Sequence, residues 1–195
     1  MNSLRKNIAL FFLLLAFTNA GAQNFDTRLL RSINNQSTRH DNLWLGFTHS
    51  ATPLALATPV VLYTFGHLHY LPEGKQKAYI AAGGLALSTL LTVGLKYGID
   101  RERPFVSDPN IYKKTHAGPF SFPSGHTSTA FVTATNITLA YPKWYVAVPA
   151  YLWAGSVGYS RMHLGVHYPS DVLAGAIIGT LSGFIAFKVN QNIRK

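Results

Sequence analysis

Five apolar stretches follow one another through this chain, at 53–71, 77–98, 124–141, 144–159 and 170–189, each near the length of about 20 residues that crosses a bilayer. Pro72-Glu73-Gly74 and Pro142-Lys143 mark tight turns between neighbours, and a polar stretch rich in proline and glycine, 99–123, separates the second run from the third. Backbone groups in hydrocarbon must be satisfied within the protein, so runs of this length are read as helices. The expected fold is all-α: a helical bundle with about five transmembrane or core helices, plus N-terminal amphipathic helices. Only 12% of residues are charged against 48% apolar, low in charge for a soluble domain.

The amphipathic helices are expected within 25–47, where Leu29, Leu30 and Ile33, then Leu43, Trp44 and Phe47, recur at near-helical spacing among Arg28, Arg31, Arg39 and Asp41. The first span is expected to begin at Pro53. In the second, Ala81-Ala82-Gly83-Gly84 would let another helix approach closely. In the third, Thr127, Ser128, Thr129, Thr133 and Thr135 mark a polar face that must be packed or hydrated.

Ahead of all this, Arg5 and Lys6 precede an apolar run at 8–17 and the small residues Ala20-Gly21-Ala22. This reads as a secretory signal over 1–22, cleaved after Ala22. The alternative is a retained anchor, although the run is short beside the roughly 20 residues a span needs. Either gives the same topology, with 96, 103, 124 and 161 on the exported side and Lys75, Lys77, Lys143, Lys188, Arg194 and Lys195 inside. The formal net charge is +10, but the basic residues are scattered among apolar segments and line no single polar face, so no nucleic acid partner is expected. There is no cysteine, which excludes disulfides and thiolate metal sites.

Chemistry concentrates in three places: 96–104 (KYGIDRERP), 123–126 (PSGH) and 160–171 (SRMHLGVHYPSD). Lys96, Arg103 and Arg161 supply fixed cations suited to the equatorial oxygens of a phosphoryl group. Ser124 is expected to cap a helix whose first amides and dipole attract an anion, and Gly125 lets that anion approach the backbone. His167 is the candidate nucleophile: Asp171 would hold its Nδ1–H and leave Nε2 free. His126 would protonate the leaving oxygen and then activate water. For single members of the set, snorkelling cations at helix ends and an ordinary capped helix are the plain alternatives. His163 and His167 stand four apart, but Gly165 disfavours a helix there and the set offers no second carboxylate nearby, so no metal site is expected. His67 and His69 are read as solvated or packed at a helix end, and Asp100, Arg101 and Glu102 as a surface charge cluster without chemistry.

The pattern Lys-x6-Arg-Pro, Pro-Ser-Gly-His, Ser-Arg-x5-His-x3-Asp resembles the signature of the type 2 phosphatidic acid phosphatase superfamily over about 79–187, with no position departing from it. That superfamily includes lipid phosphatases, class A acid phosphatases and vanadium haloperoxidases. The resemblance implies a helical-bundle domain over 23–195 and a metal-independent, cofactor-free phosphoric ester hydrolase. Its catalytic residues would be His167, His126 and Asp171, and its phosphate ligands Lys96, Arg103, Ser124, Gly125 and Arg161. With the apolar runs, it points to a phosphatase acting on a lipid (lipid A phosphate, phosphatidylglycerol phosphate or an isoprenyl pyrophosphate) at the periplasmic face of the inner membrane. The short chain, with no large lid, favours a bulky headgroup such as lipid A. The alternatives are a soluble exported acid phosphatase, a vanadium-dependent haloperoxidase and a non-enzymatic membrane protein with a vestigial site. Oligomeric state is left open.

Overall fold

The computed structural model describes residues 19–193; most of the expected signal, 1–22, lies outside the described residues. Among those described there is no strand. The helices are α1 (Asn19–Ile33), α2 (Asp41–Leu68), α3 (Pro72–Ile99), the single turn α4 (Pro104–Ser107), α5 (Gly125–Ala140), α6 (Trp144–His163) and α7 (Pro169–Ile193).

α5 is the axis of the bundle, packed on α2, α3, α6 and α7 and most extensively on α7. Gly175, Gly179 and Gly183, spaced by four, form one face of α7 and bring the two backbones together. A Cβ on Gly175 would stand 2.6 Å from the Ser124 carbonyl oxygen, one on Gly179 would press on the Ser128 carbonyl, and one on Gly183 would lie 2.8 Å from Thr135 Cγ2. Small residues at such spacing drive helix association in membranes, where lipid is as apolar as leucine and close van der Waals contact must do the holding.

The polar face of α5 is packed rather than left to solvent. Ser128 Oγ lies 2.5 Å from Ser88 Oγ and accepts from Thr92 Oγ1 at 2.9 Å. Thr135 Oγ1 lies 2.9 Å from the Tyr151 hydroxyl, and Asn136 Nδ2 donates to the Ala81 carbonyl at 3.1 Å. A helix enclosed on all sides needs no apolar exterior, which is why α5 is polar for a span. The lipid-facing surface falls to its neighbours. α2, α3 and α7 are long and apolar enough to cross a membrane, and they expose Leu54, Leu56 and Val60, Leu90 and Val93, and Leu173, Ile177 and Leu181.

The first span begins earlier than the sequence suggested. α2 starts at Asp41 and runs through Pro53 and Pro59, so Leu43, Trp44 and Phe47 belong to its first turns and not to a separate interfacial helix. Packing overrides the proline signal: Trp44 packs against Tyr159, centroids 4.5 Å apart with the rings tilted at 50°, and Phe47 lies against the buried cluster of Ala51, Ala130, Ala134, Ala154 and Val157. Neighbouring helices and Ser or Thr side chains make proline tolerable inside a span. α1 is the amphipathic helix that remains, with Leu30 fully buried and Phe25 61% exposed.

At one end of the bundle lie the turns between α2 and α3 and between α5 and α6. There the Lys77 ammonium sits 4.8 Å from the Tyr141 ring centroid and Gln76 bonds Asn190 of α7. The opposite end therefore gathers the N-termini of α2, α5 and α7 and the C-termini of α3 and α6. All three sequence motifs meet there.

Candidate active site

α3 delivers Lys96 in its last turn and ends at Asp100, whose φ of 49° is left-handed. This reversal sends the chain into the loop that carries Arg103. Lys96 Nζ donates to the Phe120 carbonyl at 3.0 Å, and its Cε would lie 4.0 Å from a Cβ on Gly125, so the ammonium stands beside the start of α5. Arg103 is buried; Nε donates to the Gly118 carbonyl and Nη1 to the Val166 carbonyl, both at 2.6 Å. From the last turn of α6, buried Arg161 donates through Nη1 to Thr48 Oγ1 of α2 at 2.6 Å, while its Nε has no partner.

Among the described residues none of these three cations forms an ion pair. Apart from a contact of Arg103 with the His167 ring, their partners are carbonyl and hydroxyl oxygens, which fix the side chains without cancelling their charge. Together they present uncompensated positive charge at the N-terminus of α5.

Ser124 occupies the N-cap position of α5, but it does not cap as the sequence suggested. Its hydroxyl turns to Thr127 Oγ1 at 2.8 Å and makes no side-chain bond to the helix amides. Its own amide donates to the Asp171 carbonyl at 3.0 Å, tying α5 to α7. The first amides of α5 have no intrahelical acceptor, and Ser124 supplies no side-chain cap for them. His126 lies in this first turn, within electrostatic reach of Arg161, Arg103 and Lys96.

His167 sits between α6 and α7, 2% exposed. Arg103 Nη1 is 3.2 Å from its Nε2. A guanidinium only donates, so Nε2 is the accepting nitrogen and the ring proton resides on Nδ1. Nδ1 faces Asp171 Oδ2 at 3.4 Å, an ion-pair distance that is long for a hydrogen bond. Burial pushes the His167 ring down to about 3, with the Asp171 carboxylate opposing the shift, so the imidazole is neutral. The sequence placed the two residues one turn apart if the chain curled at 169–170, and α7 does begin at Pro169.

Asp171 is wholly buried, and its shortest bonds come from elsewhere. Oδ2 accepts from Ser121 Oγ at 2.5 Å and from the Tyr168 amide at 2.9 Å; Oδ1 accepts from Arg101 Nη1 at 2.7 Å. The surface cluster expected at 100–102 does not hold for Arg101: its guanidinium also contacts Ser170, Asp26 and the Tyr168 ring. Thr48, Ser121 and Asp26 are likewise in the site's surroundings and were not singled out by sequence. Only Arg101, two positions before Arg103 on the same loop, carried a readable hint.

His163 points away from this centre, with Nε2 2.8 Å from Asp41 Oδ1, an oxygen that also accepts from Lys114 Nζ at 2.9 Å. No group of three metal-ligating side chains occurs among the described residues. His67 and His69 are at the far end of the bundle, exposed, beside Tyr63 and Phe65.

Comparison with known proteins places this geometry. A family model described as the PAP2 superfamily matches residues 77–195. A lipid A 4'-phosphatase of Bacteroides thetaiotaomicron is 35% identical over 97 residues, covering 48% of this chain and 43% of that protein. An undecaprenyl-diphosphatase of Sulfolobus acidocaldarius is 33% identical over 97 residues, covering 49% and 47%. The chain thus spans less than half the length of both relatives. The crystal structure of a transmembrane PAP2-type phosphatidylglycerolphosphate phosphatase from Bacillus subtilis superposes with a TM-score of 0.73 at 26% identity, covering 96% of each chain.

Proposed function

The chain belongs to the PAP2 superfamily, and on that premise we propose that it is a membrane phosphatase that removes a phosphate from a lipid, without a metal, through a phosphohistidine intermediate. The observation that carries the reading is the cradle itself: Lys96, Arg103 and Arg161 converge on the uncapped start of α5 and are held by neutral oxygens beside a neutral, accepting His167 Nε2.

A phosphate monoester in this cradle would take the first amides of α5, at Gly125 and its neighbours, and the three cations as donors to its non-bridging oxygens. Arg103 would turn from Nε2 to a phosphate oxygen, freeing the nitrogen lone pair to attack phosphorus in line with the leaving oxygen. As the P–N bond forms and the P–O bond breaks, His126 gives its proton to the departing lipid oxygen. His126 then takes a proton from water, whose oxygen displaces His167 from phosphorus and releases inorganic phosphate. Asp171 stabilises the positive charge that His167 carries while phosphorylated. The cations stabilise charge on the phosphoryl oxygens, which supplies most of the acceleration.

The same placement supports a lipid substrate at the outer face of the inner membrane. The cradle lies at the ends of the helices, near the headgroup plane, so a lipid phosphate reaches it laterally while its acyl chains stay in the bilayer. The lysines at the opposite end of the bundle favour a cytoplasmic location for that end. Relatives named for lipid A and undecaprenyl diphosphate put both substrates on the panel to test, lipid A first.

The test is phosphate release by detergent-purified wild type and His167→Ala, with chelator present. The panel is lipid A, phosphatidylglycerol phosphate, undecaprenyl pyrophosphate and a soluble aryl phosphate. Efficient release from one lipid, lost in the variant and indifferent to chelator, is expected. Release from the aryl phosphate alone overturns the lipid assignment, and full activity in His167→Ala overturns the nucleophile.

A further inference from the structure

We infer that Arg101 is a positioning residue for the reaction: clamped between Asp26 of α1 and Asp171 of α7, it sets the carboxylate that orients His167. The inference rests on the reading of His167 as nucleophile given above.

Arg101 differs in kind from the three cradle cations. Where Lys96, Arg103 and Arg161 meet neutral oxygens, Arg101 spends its donors on carboxylates. Nη1 reaches Asp171 Oδ1 and Ser170 Oγ, each at 2.7 Å, and Nη2 reaches Asp26 Oδ2 at 3.0 Å. Its plane lies over the Tyr168 ring, 4.0 Å from the centroid. With Nη1 and Nη2 each engaged by a carboxylate, its charge is compensated within the protein and adds little to the cradle. Its work is on Asp171.

That carboxylate needs the help. It is wholly buried, and its contact to His167 Nδ1, at 3.4 Å, is the longest of its interactions. So His167 does not hold Asp171 in place. The rotation of the carboxylate is fixed by Arg101 on Oδ1 and by Ser121 and the Tyr168 amide on Oδ2. The Arg101 main chain serves the same end, its carbonyl accepting from the Ser121 amide at 2.8 Å. One residue thereby fixes both oxygens, one directly and one through Ser121.

Arg101 is fixed in turn from α1. Asp26, 6% exposed, accepts from the Ser170 amide at 3.0 Å and from the Ser170 hydroxyl as well as from Arg101. The interfacial helix α1 is thus latched to the first turn of α7 at the level of Asp171. The chain Asp26–Arg101–Asp171–His167 runs from α1 to Nδ1, the ring nitrogen opposite the proposed nucleophile. Removing Arg101 leaves Asp171 as a buried anion without its cation, free to rotate or to take up a proton. Either change costs the hold on Nδ1, while the phosphate cradle is untouched.

The test uses the full chain in detergent micelles, with Arg101→Gln, Arg101→Lys and Asp26→Asn, each alone and combined with Asp171→Asn. Hydrolysis of a soluble short-chain phosphatidic acid and inhibition by inorganic phosphate are measured. Arg101→Gln is expected to lower kcat by about 10- to 100-fold, with KM and phosphate inhibition within threefold of wild type, and Arg101→Lys to recover part of the loss. In the Asp171→Asn background the same change is expected to cost less than threefold more, since residues acting as a unit are non-additive. Asp26→Asn should follow in the same direction with a smaller loss and serves where Arg101→Gln does not fold. Equal losses in both backgrounds, or a loss confined to KM and phosphate inhibition, would overturn the inference. Nitrogen-15 NMR of labelled histidines reads the positioning without turnover: the Nδ1-protonated tautomer of His167 should dominate in wild type and give way to a mixture in Arg101→Gln. An unchanged His167 signal refutes the role of Arg101. A wild type inert on every phosphate ester refutes the phosphatase reading and leaves the NMR result to decide this one.

Discussion

The contact between Gly175 and Ser124 sets the spacing between the two halves of the proposed site, so a single methyl group there should damage catalysis more than stability. Asp171 lies one turn before Gly175 on α7, and Ser124 immediately precedes the turn of α5 proposed to bind phosphate. In Gly175→Ala the new Cβ would lie 2.6 Å from the Ser124 carbonyl oxygen where ordinary contact begins at 3.4 Å, so α7 must withdraw by about 0.8 Å. Overpacking of this kind costs about 1–3 kcal/mol, partly offset by the ~0.8–1.0 kcal/mol by which alanine favours a helix interior over glycine. The net loss of stability is then at most about 2 kcal/mol. The same displacement would separate His167 and Asp171 from a phosphate held at the proposed site on α5, and a misplacement near 1 Å costs on the order of 100-fold in rate. The expected result is a kcat lowered by about 10- to 100-fold with a modest fall in thermal midpoint, assayed on detergent-purified protein with phosphate release and scanning fluorimetry. Gly83→Ala and Gly155→Ala are the controls: a Cβ on Gly83 meets only Ala186 Cβ at 4.0 Å and one on Gly155 meets nothing within 4 Å, so both should keep wild-type turnover. If Gly175→Ala retains kcat within threefold of wild type, or Gly155→Ala loses as much, the reasoning from helix spacing is wrong.

Thr48→Val removes the acceptor of a buried Arg161 donor, a charge-assisted bond worth about 1.5–3 kcal/mol; kcat/KM should fall about tenfold, Thr48→Ser should restore it, and an unaffected valine variant would show that Thr48 does not hold the guanidinium. Acid should destabilise the fold through His167: the folded ring takes a proton only near pH 3, the unfolded one near pH ~6.5, so the unfolded state binds more protons between those values and stability declines as pH falls through the window. Thermal midpoints at pH 7, 5 and 4 check this, and a slope unchanged in His167→Gln would contradict it. Inorganic phosphate should raise the thermal midpoint, because a ligand at 100 times its Kd stabilises by about 2.7 kcal/mol; chloride at equal ionic strength should not, and Arg161→Gln should abolish the effect.

Much of this was legible in the sequence because membrane helices and phosphate chemistry both leave linear signals. The five apolar runs became α2, α3, α5, α6 and α7, and the three motifs fell at one end of the bundle because an alternating up-and-down topology leaves them nowhere else. Spans were less legible where packing, not composition, decided them. Pro53 looked like a start because proline opens helices, yet the preceding turns, with Trp44 on Tyr159 and Phe47 on the alanine cluster, hold α2 helical from Asp41. Ser124 looked like a cap by residue type, but a partner three positions on, Thr127, takes its hydroxyl. The glycine ladder at 175, 179 and 183 and the partners of the arginine at 101 depend on which helix or carboxylate stands opposite; local sequence hints at Arg101 only through its nearness to Arg103.

The division of labour among the arginines follows from the low dielectric in which they sit. A buried cation is costly to keep unless something compensates it, and the two ways of compensating have opposite consequences. A carboxylate partner removes the cost and with it the field, as Asp26 and Asp171 do for Arg101. Carbonyl and hydroxyl partners lower the cost through dipoles but leave the charge in place, as Gly118, Val166 and Thr48 do for Arg103 and Arg161. Only the second arrangement gives a free protein a standing affinity for an anion, and only the first gives a fixed strut that a bound anion will not pull out of position. The loop at 101–103 holds one residue of each kind two positions apart, so the proposed separation of binding from positioning rests on what each side chain faces and not on the residue type.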